Sequence, residues 1–230
     1  MAAPTPDDQI HGFFDRASKG FFAEVGVRKP AASATAPLET AGWNGALIEP
    51  QPDVAAFLVT ARKARVFAVA CVAPVEAGAP LALRIDSPLA AIDVGRPFGR
   101  PPSDYVIMVP TRTLDDVLGE AEAPAPFDLL WLDIHGHELD ALLGFDFERW
   151  RPKLIVIADP AIDLQRHRFL KESGYRAIRR AGGCGWYVPA DAPVSSKRWA
   201  ILRDYYLLLP FRKAWHALRR LNSRIMAVPD

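Results

Sequence analysis

Apolar residues in this chain fall in short runs, separated by segments in which they recur at helical spacing. FFAEVG, starting at Phe21, is a short apolar run closed by a glycine and reads as a buried strand. GALIEP, ended by Pro50 and Pro52, predicts a second strand, and VFAVACVA a third. Between them, Ser33 to Ala41 predicts a short helix in spite of Pro37. DVAAFLVTARKA predicts a longer one with Asp53 as its N-cap. The order is β-α-β-α-β.

From Pro74 to Pro110 the pattern is less regular. LALRI and YVIMV have strand character, and the glycine- and proline-rich GRPFGRPP predicts a surface loop. Alternation then resumes: TRTLDDVLGE as a helix, FDLLWLD as a strand, HELDALLGF as a helix and KLIVIAD as a strand. DLQRHRFLKESG predicts a helix stopped at Gly174, before two last strands, YRAIRR and GWYVP. Strands alternating with helices make the expected fold α/β, a doubly wound, mostly parallel sheet.

The stretch Phe127 to Phe145, FDLLWLDIHGHELDALLGF, bears most on function. Its apolar run fits a strand covered on both faces, as in parallel sheets. The polar turn DIHGHE follows at the strand's carboxyl end, where such sheets bind ligands. Asp133, His135, His137 and Glu138 therefore stand where chemistry is expected.

Composition narrows the partners. At 230 residues with 50% hydrophobic and 24% charged, the chain can bury one sizeable core, as one large domain or one domain with an appendage. A formal net charge of +1 gives no global reason for nucleic acid, and no recognisable nucleic-acid module is present. Cys71 and Cys184 lie far apart without metal-like spacing and read as two reduced, buried thiols of a cytoplasmic protein. MAAPTPDDQIHGFFDRASKG holds no basic stretch followed by an apolar run, so no secretory leader is expected. No apolar segment approaches the ~18 to 20 residues that span a bilayer.

Taken in order, FFAEVG, LETAGWNGALIEPQP, RTLDDVL, LLWLDIHGHELDALLGFDFERWRPKLIVI and GWYVP resemble the FkbM family of S-adenosylmethionine-dependent methyltransferases. The resemblance covers roughly 21–189. It implies a Rossmann-like fold of the class I methyltransferase type and O-methylation, commonly of sugar hydroxyls in glycans or secondary metabolites. It further implies that Glu24 supports the loop after the first strand or meets the cofactor's amino-acid end, and that Gly26 forms that loop's turn. Two departures stand out. After EVG comes VRKPAAS, so the family's later loop glycine is missing and Arg28, Lys29 and Pro30 take its place. Arg28 and Lys29 read equally as ligands for a carboxylate or phosphate and as solvated surface charges. In the second motif His135 replaces the family's first glutamate, whereas Asp133, Gly136 and Glu138 match it and His137 takes its variable position.

The residues also suit such a cofactor directly. Glu49 ends the second strand twenty-five positions after Glu24, near the ~20-residue offset at which an acid meets ribose in dinucleotide folds. A solvated strand-end acid is the alternative. An unperturbed imidazole titrates near ~6.5, so a histidine at position 135 suits a general base on a hydroxyl. The HxH pair beside Asp133 and Glu138 has metal-ligand types without a strong metal spacing, so no metal is assigned. A purely structural role for the two histidines stays open, and Glu138 in the helix's first turn also reads as a complement to the helix dipole. The expected site is Asp133 and His135 on the acceptor for catalysis, Glu24, Gly26, Glu49 and Asp133 on the cofactor, and His137 and Glu138 on the substrate.

After Pro193 the character changes. Residues 196–230 carry eight basic side chains against two acidic ones, and RDYYLLLPFRKAWHALRRLNSRI alternates aromatic and basic residues, as two helices meeting near Pro210. This tail fits an anionic membrane surface or a glycolipid acceptor, and also a helix packed on the domain or on a partner subunit of a homo-oligomer. The resulting organisation is an N-terminal segment 1–20, a methyltransferase-like domain 21–190 and a basic helical tail 191–230. The rival to an enzyme acting on a small-molecule or glycan acceptor is a degenerate family member that binds a glycan or protein without catalysis.

Overall fold

Most of the apolar runs become strands. The computed structural model describes residues 6–15, 17, 19–27, 33–84, 106–159, 164–196 and 198–215. It divides into two compact units, Met1–Lys153 and Leu154–Asp230. Neither GRPFGRPP nor the loop residues Arg28, Lys29 and Pro30 fall within the described residues. Among the described residues, no helix is long and apolar enough to cross a membrane.

In the first unit, α1 (Pro6–Phe13) precedes β1 (Phe21–Val25), α2 (Ala36–Thr40) leads to β2 (Asn44–Ile48), and α3 (Pro52–Ala61) leads to β3 (Arg65–Phe67). Then come β4 (Ala70–Cys71), a 3-10 turn (Pro74–Glu76), β5 (Leu81–Arg84), β6 (Val106–Val109), β7 (Thr111–Arg112), α4 (Leu114–Glu120), β8 (Leu129–Leu132), α5 (Glu138–Leu143) and α6 (Phe147–Trp150). β8, β1, β2 and β3 lie side by side in that order, all parallel. Every residue of β1 and β8 is buried, which is why both read as unbroken apolar runs rather than alternating ones. From β1 the chain moves outward through β2 to β3, then returns to set β8 on the other side of β1. Parallel crossovers of the usual right hand, running in opposite directions from β1, put helices on opposite faces, which is the arrangement of a Rossmann-like, doubly wound sheet.

Local chemistry moves several expected boundaries. Pro52 occupies the first turn of α3 and Gln51 is its N-cap, so Asp53 sits inside the helix, its Oδ1 accepting from the Val54 N–H at 3.0 Å. α2 starts at Ala36 and holds Pro37 in its first turn, where a missing N–H costs nothing. The run VFAVACVA splits: Phe67 pairs with Ile48 in the main sheet, whereas Ala70 pairs with Thr111 in a separate two-stranded ladder. α6 is a short helix that the apolar pattern does not announce. It forms because the Asp146 carboxylate caps the N–H groups of Glu148 (2.9 Å) and Arg149 (3.0 Å).

The second unit contains β9 (Leu154–Ala158), α7 (Gln165–Glu172), β10 (Tyr175–Ala181), β11 (Cys184–Pro189), α8 (Arg198–Leu202) and a π turn (Arg203–Leu207), with 209–215 helical beyond it. β10 and β9 both pair antiparallel with β11. Its interior holds Leu154, Ile155, Leu170 and Trp186, together with a polar group of three rings, His167, Tyr187 and Tyr205. The His167 Nδ1 lies 3.1 Å from the Tyr187 hydroxyl, which is 2.9 Å from that of Tyr205. Cys71 is buried and Cys184 half-buried, and neither forms a disulfide.

Candidate active site

Doubly wound sheets bind ligands where the strand order reverses, at the carboxyl ends of the strands. Here that point lies between β1 and β8. The register fixes what meets there: Val25 pairs with Ile48 on one side and with Leu132 on the other. The next residue of each strand therefore forms a row, Asp133, Gly26 and Glu49. Backbone hydrogen bonds hold the row, from Asp133 N to Val25 O (3.0 Å), from Gly26 N to Ile48 O (2.9 Å) and from Glu49 N to Phe67 O (3.0 Å).

Gly26 occupies the middle for steric reasons. Its φ is +90°, and a Cβ there would collide with the Asp133 carbonyl and stand 2.8 Å from Ile134 Cγ2. Only glycine lets the two loops come so close. The result is a bare backbone flanked by two carboxylates. Glu49 is buried, and its Oε1 accepts from the Gln51 N–H at 2.9 Å. Asp133 is half-open to solvent, with its side chain 41% exposed.

Glu24 points elsewhere. Its buried carboxylate accepts from Ser33 Oγ (2.7 Å), Ala34 N (3.2 Å) and Thr35 Oγ1. Arg62 backs the same group, donating to Ser33 Oγ (2.7 Å) and Thr35 Oγ1 (3.1 Å) while its Nε pairs with Glu39 (2.7 Å). Burial pushes the Glu24 carboxyl above its ordinary range, against the opposing pull of these donors and of Arg62. Of the two roles the family resemblance allows, this geometry matches support of the loop. In the sequence Ser33, Thr35 and Arg62 carry no motif, being two hydroxyls in an alanine-rich stretch and one arginine at a helix end.

The DIHGHE turn is held from inside. His135 has φ +55° and Gly136 φ +109°, two successive left-handed residues. Glu138, buried at the start of α5, accepts from the N–H groups of Ile134 (3.2 Å) and Gly136 (3.1 Å). Its carboxylate is thus directed at the turn's own backbone. The imidazoles, by contrast, are open. His135 is 55% exposed with Nδ1 3.6 Å from Asp133 Oδ1, an ion-pair separation longer than a hydrogen bond. His137 is the N-cap residue of α5, and its ring lies 3.1 Å from Asp140 Oδ2. The strand ends therefore carry Asp133, Gly26 and Glu49 in one row with His135 beside Asp133, while Glu24 and Glu138 hold the adjoining loops. Among the described residues, no three His, Cys, Asp or Glu side chains are grouped to hold a metal ion.

Comparison with curated proteins gave no match to this chain. A family model does match, that of the Methyltransferase FkbM domain, over residues 22–177. The matched span begins in β1 and takes in the Asp133–Gly26–Glu49 row and the DIHGHE turn. It covers well over half of the sequence, and on this ground the chain belongs to the FkbM methyltransferase family.

Proposed function

We propose that the protein is an S-adenosylmethionine-dependent O-methyltransferase acting on a hydroxyl of a sugar or related acceptor. The observation that carries this reading is the row of two carboxylates around a side-chain-free backbone at the switch point of the sheet. A ligand with a hydroxyl pair and a positive centre suits that donor set, because carboxylates accept from hydroxyls and attract a cation, while Gly26 leaves room for close approach. S-adenosylmethionine has both features, and when bound it supplies an electrophilic methyl group.

The chain's residues then divide the work. Glu49 would accept from the ribose hydroxyls, and Asp133 would stand toward the positive end. His135 takes the proton from the acceptor hydroxyl as the oxygen becomes nucleophilic, and the Asp133 carboxylate, 3.6 Å from its Nδ1, stabilises the resulting imidazolium. His137, on the exposed rim, contacts the acceptor. Glu24 and Glu138 act through the loops they hold.

The test is transfer of an isotopically labelled methyl group to a panel of sugar acceptors, by the protein and by His135→Gln. A general base of this kind contributes about 10²- to 10⁴-fold in rate. The variant is expected to lose that factor in turnover and to keep its cofactor affinity. Unchanged turnover would remove His135 as the base.

A further inference from the structure

The C-terminal segment 198–215 has an inner side that is locked and an outer side that is apolar. Tyr205 is fully buried in the second unit, stacked on His167 with ring centroids 4.3 Å apart and planes at 17°, and hydrogen-bonded to Tyr187. Its neighbour Asp204 is also buried and is held by Arg203 Nε at 2.9 Å, with Arg212 at 3.8 Å. These contacts fix the rotation of the segment about its own axis, so it cannot roll to bury its other side.

That other side carries Trp199 (70% exposed), Leu202 (49%), Tyr206 (46%), Leu207 (48%), Phe211 (71%) and Trp215 (58%). Trp199, Leu202 and Tyr206 follow helical i, i+3, i+7 spacing, and Leu207, Phe211 and Trp215 follow i, i+4, i+8. The π turn at Arg203–Leu207 holds an extra residue relative to an α turn, which re-phases the helix and carries the stripe from the first set to the second. Scattered exposed apolar residues are ordinary, but six aligned on one fixed side form a surface for contact.

Charge selects the partner. Residues 196–230 hold eight basic side chains and two acidic ones. Asp204, one of the two acids, is engaged by Arg203 and Arg212, so outside that cluster six basic side chains stand against one acid. Tryptophan and tyrosine settle at the headgroup level of a bilayer, with lysine and arginine reaching outward to phosphates. We propose that the outer side of 198–215 docks the protein on an anionic lipid surface. The inference stands apart from the methyl-transfer reading, since it uses no residue of that site.

Flotation of the full chain with vesicles tests it. With phosphatidylcholine and phosphatidylglycerol in equal parts the protein should float, with phosphatidylcholine alone it should not, and added salt should release it. Lys213→Gln should weaken partitioning about fivefold. Trp199→Ala combined with Trp215→Ala should weaken it by about tenfold or more while leaving the circular dichroism spectrum and melting temperature unchanged. Three results would overturn the proposal. One is the full chain staying in the aqueous phase with the mixed vesicles, and another is the folded double variant floating as well as the parent. The third is a dimer in sedimentation that the double variant abolishes, which would make a second copy the occupant of this face.

Discussion

Two glycines of the site share a left-handed backbone but differ in what surrounds them, and substitution to alanine separates the two effects. Gly26 has φ +90° and Gly136 φ +109°. A side chain in such a conformation costs ~1 to 3 kcal/mol, offset by ~0.4 to 1 kcal/mol from the stiffer unfolded chain. Gly136→Ala meets only this term, because nothing lies within 4 Å of the added Cβ, and should cost about 1 kcal/mol. Gly26→Ala also places its Cβ 2.9 Å from the Asp133 carbonyl carbon and 2.8 Å from Ile134 Cγ2, where carbons prefer ~3.5 to 4.0 Å. Relief requires the Gly26 backbone to shift away from the end of β8, which weakens its own bond to Ile48 O in β2 and the bond from Asp133 N to Val25 O. At ~1 kcal/mol for each bond, the total becomes about 3 kcal/mol. Urea unfolding followed by tryptophan fluorescence measures both variants against the parent. A destabilisation of Gly26→Ala within ~0.5 kcal/mol of Gly136→Ala would refute the close approach of the two strand ends on which the site depends.

Other outcomes follow from the same structure. Burial lowers the pKa of His167, so below its ordinary ~6.5 the unfolded chain binds a proton that the folded one refuses, and stability falls with pH. Denaturation at pH 7.5 and 5.5 should show that loss, and His167→Gln should remove the His167 part of it; an unchanged pH dependence would count against a buried neutral imidazole. Glu138→Gln keeps the volume but loses the charge on the turn's N–H groups, and should lower stability by ~1 to 3 kcal/mol in thermal melts; a neutral effect would mean the turn does not need its latch. Burial raises the Cys71 thiol to about 12, so iodoacetamide at pH 8 should label Cys184 first, as read by peptide mass spectrometry. Early labelling of Cys71 would show that its site opens.

Much of the fold is legible because β1 and β8 are buried on both faces, and a continuous apolar run closed by polar residues has few other readings. The same logic locates Asp133 and Glu49, since acids that end such runs must stand at strand ends. Partners across long sequence distances are not legible. Glu24 looks like a ligand-facing acid until Ser33, Thr35 and Arg62, from a loop and a helix end, converge on it. Glu138 matches a motif, yet only the left-handed backbone of His135 and Gly136 turns two N–H groups toward its carboxylate. VFAVACVA conceals a change of sheet partner because both halves are apolar. Pro210 signals where the tail's two helical pieces meet, whereas the side that faces outward depends on Tyr205 finding His167 and Tyr187.

The central claim, that the Asp133–Gly26–Glu49 row is a cofactor site, is tested most directly by calorimetric titration of S-adenosylmethionine into the full chain and into Glu49→Ala. The account predicts saturable one-site binding by the parent, weakened in the variant by ~1 to 3 kcal/mol, the cost of losing a charged hydrogen-bond partner. No heat and no thermal shift at millimolar ligand, or equal affinity in the two proteins, would contradict it.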